Sequence, residues 1–180
     1  MFVNVDWFFL SHRLPIAKAA LQNQIDMTVY TDFTHSKEVN KEQGFKMFQS
    51  PLSRSSKNLH MFLVEFVKVF ILILKQKPNL LHAVTIKPII FLGIVARITE
   101  TPFIAAISGL GPVANNTGAF YKYRFKLVMK IYKFIFKNES ALIICQSNHD
   151  KNFLIQNKIC EEASISIISG SGVDLEKFIP

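Results

Sequence analysis

The sequence contains very little cysteine. Its two cysteines, Cys145 and Cys160, are too few for a disulfide framework and lack the paired spacing of a metal-binding motif. Cys145 lies within an apolar run, which predicts a buried thiol. The cysteine content therefore excludes a disulfide-stabilised secreted domain and favours a reducing cytoplasm.

Acidic residues are also scarce. The chain has 13 Asp and Glu against 21 Lys and Arg, which gives a net charge of +8. Such a balance predicts an anionic partner: nucleic acid, a phosphorylated substrate or an acidic membrane face. Nucleic acid ranks lowest, because no base-stacking platform or recognition motif accompanies the charge.

No hydrophobic run is long enough to span a membrane. The best candidate, residues 61–74 (MFLVEFVKVFILIL), is shorter than the ~20 residues a span requires and contains Glu65 and Lys68. We predict a buried or interfacial helix there. The first residues lack a basic region, and Asn4 and Asp6 interrupt their apolar run, so no signal peptide is expected.

The chain does have ample apolar content, with 49% hydrophobic residues in 180 positions, enough for one well-packed domain. Short runs that are apolar throughout alternate with helical patterns, as in a parallel sheet covered on both faces. We therefore predict a doubly wound, mostly parallel α/β fold. The predicted strands are 2–5, 27–31, 45–49, 79–84, 102–107, 141–146 and 165–168, and the predicted helices are 13–23, 59–77, 86–99, 119–137 and 148–157.

The opening segment, residues 2–15 (FVNVDWFFLSHRLP), predicts a strand that runs into a loop and then a helix. Ligands of open α/β sheets bind where such loops leave the carboxyl ends of the strands. The loop carries five groups of interest: Asp6, Trp7, Ser11, His12 and Arg13. His12 offers a general acid or base, and Arg13 offers a bidentate grip on a phosphate. The aromatic residues at 7–9, taken singly, are equally typical of a core.

Two further segments follow predicted strands. His82, Thr85 and Lys87 lie beside a predicted helix N-terminus, where anions are favoured. The alternative for His82 is a satisfied core imidazole. After the next strand, two glycines allow close approach of a ligand to the backbone, but their spacing is not the dinucleotide fingerprint. The residues of interest there are Ser108, Gly109 and Gly111.

The predicted helix 119–137 carries a line of lysines. Spacings of four, four, three and four residues place these on one side of the helix: Lys122, Lys126, Lys130, Lys133 and Lys137. Basic residues flanked by aromatic ones are typical of an interfacial membrane helix. A solvated face on a core helix explains the pattern equally well.

Four blocks of the sequence, in order, resemble a known family: VNVDWFFLSHRLPIAKAAL, HAVTIKPIIFLGIVAR, ISGLG and GSGVDLEKFIP. They are similar to the N-terminal domain of retaining glycosyltransferases of the GT-B fold, in the broad family 4. The branch most similar builds capsule, O-antigen, lipopolysaccharide and other lipid-linked bacterial surface glycans. In that family an N-terminal Rossmann-like domain binds the acceptor, commonly a sugar on a polyprenyl diphosphate. A C-terminal one binds the nucleotide-sugar donor, and no metal or further cofactor is required.

The resemblance implies roles for individual positions. The implied acceptor contacts are Asp6, Trp7, Ser11, Arg13, Thr85, Lys87, Ser108, Gly109 and Gly111. His12 and His82 are candidates for a catalytic role that the sequence does not assign. Residues 1–168 would form the acceptor domain, and residues 169–180, with Gly170, Gly172 and Asp174, the hinge to a donor domain. Many relatives carry His-x-His where this chain has His82-Ala83-Val84, so their second histidine has no counterpart here.

The expected function is transfer of a hexose or N-acetylhexosamine from a nucleotide sugar to a lipid-linked acceptor, at the inner face of the plasma membrane. Because the sequence ends where the donor domain is expected, this chain alone is expected to be inactive. The donor domain would be supplied in cis or in trans. The alternative is a non-catalytic membrane-docking subunit that pairs with a separate donor-domain polypeptide. A stand-alone Rossmann-like nucleotide binder is disfavoured by the missing fingerprint.

Overall fold

The strands of the chain form one parallel sheet. The computed structural model describes residues 1–34, 46–53, 58–109 and 118–170. Within these ranges seven strands pair in the order β3-β2-β1-β4-β5-β6-β7, and every pair is parallel. The strands are β1 (Phe2–Val5), β2 (Thr28–Asp32), β3 (Lys46–Gln49), β4 (Leu81–Val84), β5 (Phe103–Ile107), β6 (Ala141–Cys145) and β7 (Ile165–Ile167).

Six α-helices of the described residues cover the two faces of this sheet. They are α1 (Asp6–His12), α2 (Leu14–Gln22), α3 (Leu59–Gln76), α4 (Ile86–Thr99), α5 (Ala119–Ile135) and α6 (Asn148–Gln156). The predicted doubly wound, parallel α/β fold is confirmed. Among the residues described, the structure contains no helix that is both long and apolar enough to cross a membrane.

The two faces of the sheet carry cores of different size. One face packs against α3, α4, α5 and α6, here called the α3 side, in a large cluster that includes Val69, Phe91, Tyr132 and Leu154. The other face packs against α1 and α2, here called the α1 side, in a small cluster around Phe9. Burial of the strands on both faces explains why their sequences are apolar throughout rather than alternating.

Helix α4 lies at the centre of the α3 side. It contacts β4 and β5, and it also contacts α3 and α5. A Cβ atom placed on Gly93 would lie 2.6 Å from Cγ2 of Ile135, so the glycine permits close packing of α4 against α5. The free thiol of Cys145 is buried in the same core, as predicted.

The opening segment differs from the prediction. Residues 6–12 form a helix, α1, rather than a loop, and Arg13 alone separates it from α2. Asp6 begins this helix, with its carboxylate accepting the Trp7 N–H at 2.9 Å. Ser11 Oγ donates to the Trp7 carbonyl at 2.7 Å, and the rings of Phe8 and His12, one turn apart, stack at 4.4 Å. Contacts at i and i+4 stabilise a short helix that the sequence pattern alone does not reveal.

The other described boundaries lie within two residues of the predicted ones, and β1 and α4 match at both ends. After α2, Asn23 has a φ of −91°, and Gln24 takes the positive φ of 59°. The left-handed residue that ends this turn of the chain is therefore Gln24. Phe45, the first residue of the predicted third strand, lies outside the described residues.

Candidate functional site

The strand order fixes where a ligand site is expected. From the interior strand β1 the chain proceeds to β2 and β3 on one side, and it then returns to place β4 on the other side of β1. This reversal is the topological switch point, where open α/β sheets bind ligands at the carboxyl ends of the strands. Helices α1 and α4 begin there, at Asp6 and at Ile86 after Thr85.

Arg13 and Ser108 meet at this edge, although they are 95 residues apart in sequence. The Arg13 guanidinium donates from Nη2 to Ser108 Oγ at 3.2 Å, and its Cζ lies 5.9 Å from the centroid of the Phe8 ring. Arg13 is only 4% exposed, and its buried Nε has no hydrogen-bond partner among the described residues. Burial lowers the pKa of Arg13, but a guanidinium remains charged in proteins. A buried cation with an unused donor is suited to a phosphate.

His82 lies on β4, two residues before the carboxyl end of the strand. Its neighbours Leu81 and Ala83 face the α3 side and Val84 faces the α1 side, so the alternation of a strand places His82 on the α1 side with Arg13. Burial, with smaller contributions from the amino terminus and Arg13, lowers the pKa of His82 to about 3. The imidazole is therefore neutral at neutral pH, and its buried Nε2 has no partner among the described residues.

Thr85 connects β4 to α4 in a strained conformation. Its φ is 74° and its ψ is 164°, in a region that β-branched residues rarely adopt. Its backbone N–H donates to the Ala106 carbonyl at 3.3 Å, while its buried Oγ1 has no partner among the residues described. Strain of this kind costs about 1–3 kcal/mol and clusters at functional sites. The hydroxyl also stands at the N-terminus of α4, where the helix dipole favours an anion.

Asp6 is buried at the start of α1, and its oxygens face other parts of the chain. Beyond the Trp7 N–H, the carboxylate accepts the Thr34 N–H at 3.2 Å and the Thr34 hydroxyl at 2.6 Å. Asp6 therefore fixes the segment after β2 against α1. A direct contact of Asp6 with an acceptor stays a prediction.

Lys87 lies away from Arg13, on the α3 side. Its ammonium is 2.7 Å from Glu65 Oε2, donates to the Ser53 carbonyl and lies 5.7 Å from the centroid of the Phe91 ring. The sequence indicated Glu65 only as a charge within an apolar helix. An acid in such a helix requires a partner. This was the available sign that Glu65 forms an ion pair within the fold, and the structure identifies Lys87 as the partner. Its contact with an acceptor also stays a prediction.

The remaining candidates of α1 lie at the surface. Trp7 is 45% exposed, Ser11 is exposed, and the Ser11 hydroxyl hydrogen-bonds to Nδ1 of the half-buried His12. Gly109 follows Ser108 with a φ of 94°, which suits glycine. Gly111 lies outside the described residues.

Two other predicted sets are placed in part. In the hinge, Gly170 is exposed with a φ of 73°, while Gly172 and Asp174 lie outside the described residues. The five lysines of the 119–137 segment are all exposed, Lys137 just beyond the end of α5. Met129, Tyr132 and Ile135 form the buried side of that helix. Both explanations of the lysine line, solvated face and membrane face, require this exposure.

No set of three or more His, Cys, Asp or Glu side chains in the described ranges is placed to hold a metal ion. The polar groups that gather at the switch point are instead a guanidinium, a neutral imidazole and hydroxyls. These groups bind phosphates and sugar hydroxyls by hydrogen bonds. The doubly wound sheet defines an α/β protein of the Rossmann-like class, and these groups mark a candidate ligand site at the carboxyl edge of its strands.

The family follows from the sequence match. Residues 1–147 match the family described as Glycosyl transferase 4-like. The chain belongs to that family, which confirms the resemblance stated above at the level of a GT-B glycosyltransferase. A comparison with curated proteins finds no match.

The fold is shared with several solved structures. A glycosyltransferase from Rickettsia africae is 17% identical over 97% of this chain and 43% of that chain, with a TM-score of 0.63. The UDP-GlcNAc 2-epimerase from Methanocaldococcus jannaschii is 15% identical over 94% of this chain and 44% of that chain, with a TM-score of 0.64. Sucrose-phosphate synthase from Thermosynechococcus elongatus is 16% identical over 99% of this chain and 47% of that chain, with a TM-score of 0.64. This chain thus spans less than half the length of each structure.

Proposed function

We propose that this chain is the acceptor-binding half of a glycosyltransferase of surface polysaccharide synthesis, of the capsule, O-antigen or lipopolysaccharide kind. The intact enzyme transfers a hexose or N-acetylhexosamine from a nucleotide sugar to an acceptor sugar carried on a polyprenyl diphosphate. It works at the inner face of the plasma membrane. The family match supports the transfer reaction, and the net charge of +8 suits an anionic acceptor at an anionic surface.

One observation carries the acceptor assignment. Among the residues that the structure describes, Arg13 and His82 each present a buried nitrogen without a partner, and Thr85 presents a buried hydroxyl without one, at the switch point of the sheet. Buried polar atoms normally find a partner. A diphosphate and a sugar hydroxyl supply such partners: Arg13 holds the phosphate, and His82, neutral and aimed at the same side, bonds a hydroxyl.

The groups that bind the nucleotide-sugar donor belong to a second domain, on the other side of the cleft. A transfer reaction is accelerated by groups that bind the transition state, and in a cleft these come from both walls. The matched structures are more than twice as long as this chain, which leaves room for such a domain. We therefore propose that the chain alone binds acceptor without turnover, and that the donor domain acts in cis or in trans.

The test uses Trp7, the only tryptophan, as a reporter at the start of α1. A farnesyl diphosphate-linked N-acetylglucosamine is titrated into the chain, and Trp7 emission is followed. We expect saturable binding, weakened roughly tenfold to a hundredfold in Arg13→Ala, because a charge-assisted hydrogen bond contributes about 1.5–3 kcal/mol. Arg13→Lys retains the positive charge but loses the bidentate donor geometry of the guanidinium. Its affinity should therefore lie between that of the original chain and that of Arg13→Ala.

The matched control is Arg97→Ala. Arg97 lies 4.8 Å over the ring of Phe134 on the α3 side, and its loss leaves acceptor affinity unchanged. Thermal melts by circular dichroism confirm that the Arg13 variants are folded. Equal affinity in Arg13→Ala and the unaltered chain would contradict the assignment, as would the absence of any binding by the folded chain.

A further inference from the structure

Helix α3 has an exposed apolar face. Six of its apolar side chains are between 40% and 56% exposed. All but Met61 share one side of the helix, namely Leu63, Val64, Val67, Ile71 and Leu74. At about 100° per residue they lie within an arc of about 100° on the helix surface. We call these five residues the α3 apolar face. The opposite side of α3, which includes Val69 and Ile73, is buried in the core.

The exposed charges that α3 itself carries are positive. Lys68 and Lys75 are exposed on α3, next to the arc of apolar residues. The only acid of α3 is Glu65, which is buried and paired with Lys87. Helix α5 contains no acid at all, and its lysines point to solvent. An apolar strip bordered by lysines is the pattern of a helix that lies in a membrane interface.

The lysines of α5 and the α3 apolar face lie on the same side of the sheet. Helix α3 contacts α4, α4 contacts α5, and all three helices contribute to one core cluster. Exposed apolar side chains also accompany the α5 lysines, namely Tyr123, Leu127 and Phe134. One side of the domain therefore combines exposed apolar side chains with a cationic field.

We propose that the α3 side of the domain docks on an anionic lipid surface, with the α3 apolar face entering the interface and the α5 lysines held over the headgroups. Charge selects this occupant. A second copy of the chain would bring one cationic surface against another, which is unfavourable. The inference deepens the proposed function by assigning its membrane contact, but lipid binding requires no sugar transfer, so the two fail separately.

The experiment measures binding of the 180-residue chain to vesicles by flotation. Vesicles of phosphatidylglycerol and phosphatidylcholine are compared with vesicles of phosphatidylcholine alone. We expect binding to the anionic vesicles only, falling steeply with salt because charges are screened over ~10 Å at ~0.1 M. Replacement of Lys126, Lys130 and Lys133 by Gln weakens it roughly a hundredfold, since each lysine near the surface contributes about 1 kcal/mol.

Two variants of α3 distinguish insertion of its apolar side chains into the membrane from electrostatic attraction to the lipid headgroups. The pair Val67→Gln with Ile71→Gln weakens binding roughly tenfold or more, because apolar burial is lost. Its matched control is Ile16→Gln with Ile25→Gln, two exposed isoleucines at and after α2, on the α1 side. In a Trp7→Phe background, Val67→Trp reports depth: its emission shifts to shorter wavelength on anionic vesicles, whereas Trp7 of the unaltered chain shows no shift.

Several results would overturn the proposal. One is the absence of binding to anionic vesicles by the folded chain, and another is equal binding to both vesicle types. A third is unchanged emission of Val67→Trp on vesicles that do bind the chain. Concentration-dependent dimerisation that Ile71→Gln abolishes would assign the α3 apolar face to a second copy instead.

Discussion

The two sides of the sheet treat their buried polar groups differently. On the α3 side the buried carboxylate of Glu65 pairs with Lys87 and accepts the Ser53 N–H at 3.0 Å. On the α1 side, Arg13 and His82 have buried nitrogens that find no partner in the described part of the chain. The Tyr132 hydroxyl is an exception on the α3 side, as it is buried without a partner among the described residues. The difference leads us to expect that variants of the α3-side pair lower stability, whereas variants of the α1-side groups mainly weaken the proposed acceptor binding.

The largest expected loss of stability comes from breaking the ion pair between Glu65 and Lys87 on the α3 side. Glu65→Ala leaves the half-buried Lys87 ammonium without its carboxylate and should lower the free energy of unfolding by about 3 kcal/mol. Urea unfolding at pH 7 measures the loss. The double variant Glu65→Leu with Lys87→Met, which removes both charges, should recover most of it. A Glu65→Ala chain as stable as the original would refute the contrast between the sides.

The next effect tests His82 through pH. An unfolded histidine titrates near 6.5, whereas burial lowers the pKa of His82 to about 3. Below pH 6.5 the unfolded chain therefore binds a proton that the folded chain does not, and the folded state loses stability. Between pH 7 and pH 5 this residue should account for a loss of about 2 kcal/mol.

Urea unfolding at both pH values measures this loss in the original chain and in His82→Gln. The glutamine variant should lack that part of the pH dependence. His149→Gln, which changes an exposed histidine of α6, serves as the control and should retain it. The same pH dependence in His82→Gln and in the original chain would show that His82 is not the buried neutral group described.

The smallest effect has opposite signs for stability and binding. Thr85→Gly relieves a positive φ and should raise the free energy of unfolding by about 1 kcal/mol. Because the hydroxyl at the N-terminus of α4 is lost, acceptor binding measured through Trp7 should weaken. Glu100→Gly is the matched control: its φ of 54° lies at the other end of α4, so it should stabilise without changing binding. A higher free energy of unfolding together with unchanged binding in Thr85→Gly would show that the strained residue takes no part in acceptor binding.

Local sequence predicted the secondary structure well where the hydrophobic pattern agrees with residues that begin or end an element. Helix α4 was predicted to the residue because Pro88 fits a first turn and an apolar run follows, and β5 was predicted because its run is apolar throughout. Helix α1 was missed because seven residues are too short to show a period, and Asp6 was interpreted as the end of a strand rather than the start of a helix.

The site was predicted as segments and not as contacts. The segments containing Arg13 and Ser108 were both proposed, but nothing local indicates that residues 95 apart share a hydrogen bond. The family resemblance implies an acceptor contact for Lys87, which stays a prediction. Its ion pair with Glu65 of α3 was not predicted, because the sequence does not show how α3 is oriented. Long-range pairing depends on how the helices pack, and a single sequence does not encode that in any short pattern.

The position of β1 between β2 and β4 has a consequence for synthesis on the ribosome. Phe2 pairs with Tyr30 of β2 on one side and with Ala83 of β4 on the other. At ~5–20 residues per second, the segment that ends with β4 emerges roughly 4 to 16 s after β1. Throughout that interval one edge of the first strand is open to other nascent chains. A chaperone that shields this edge should therefore raise the yield of folded protein more than one acting after release.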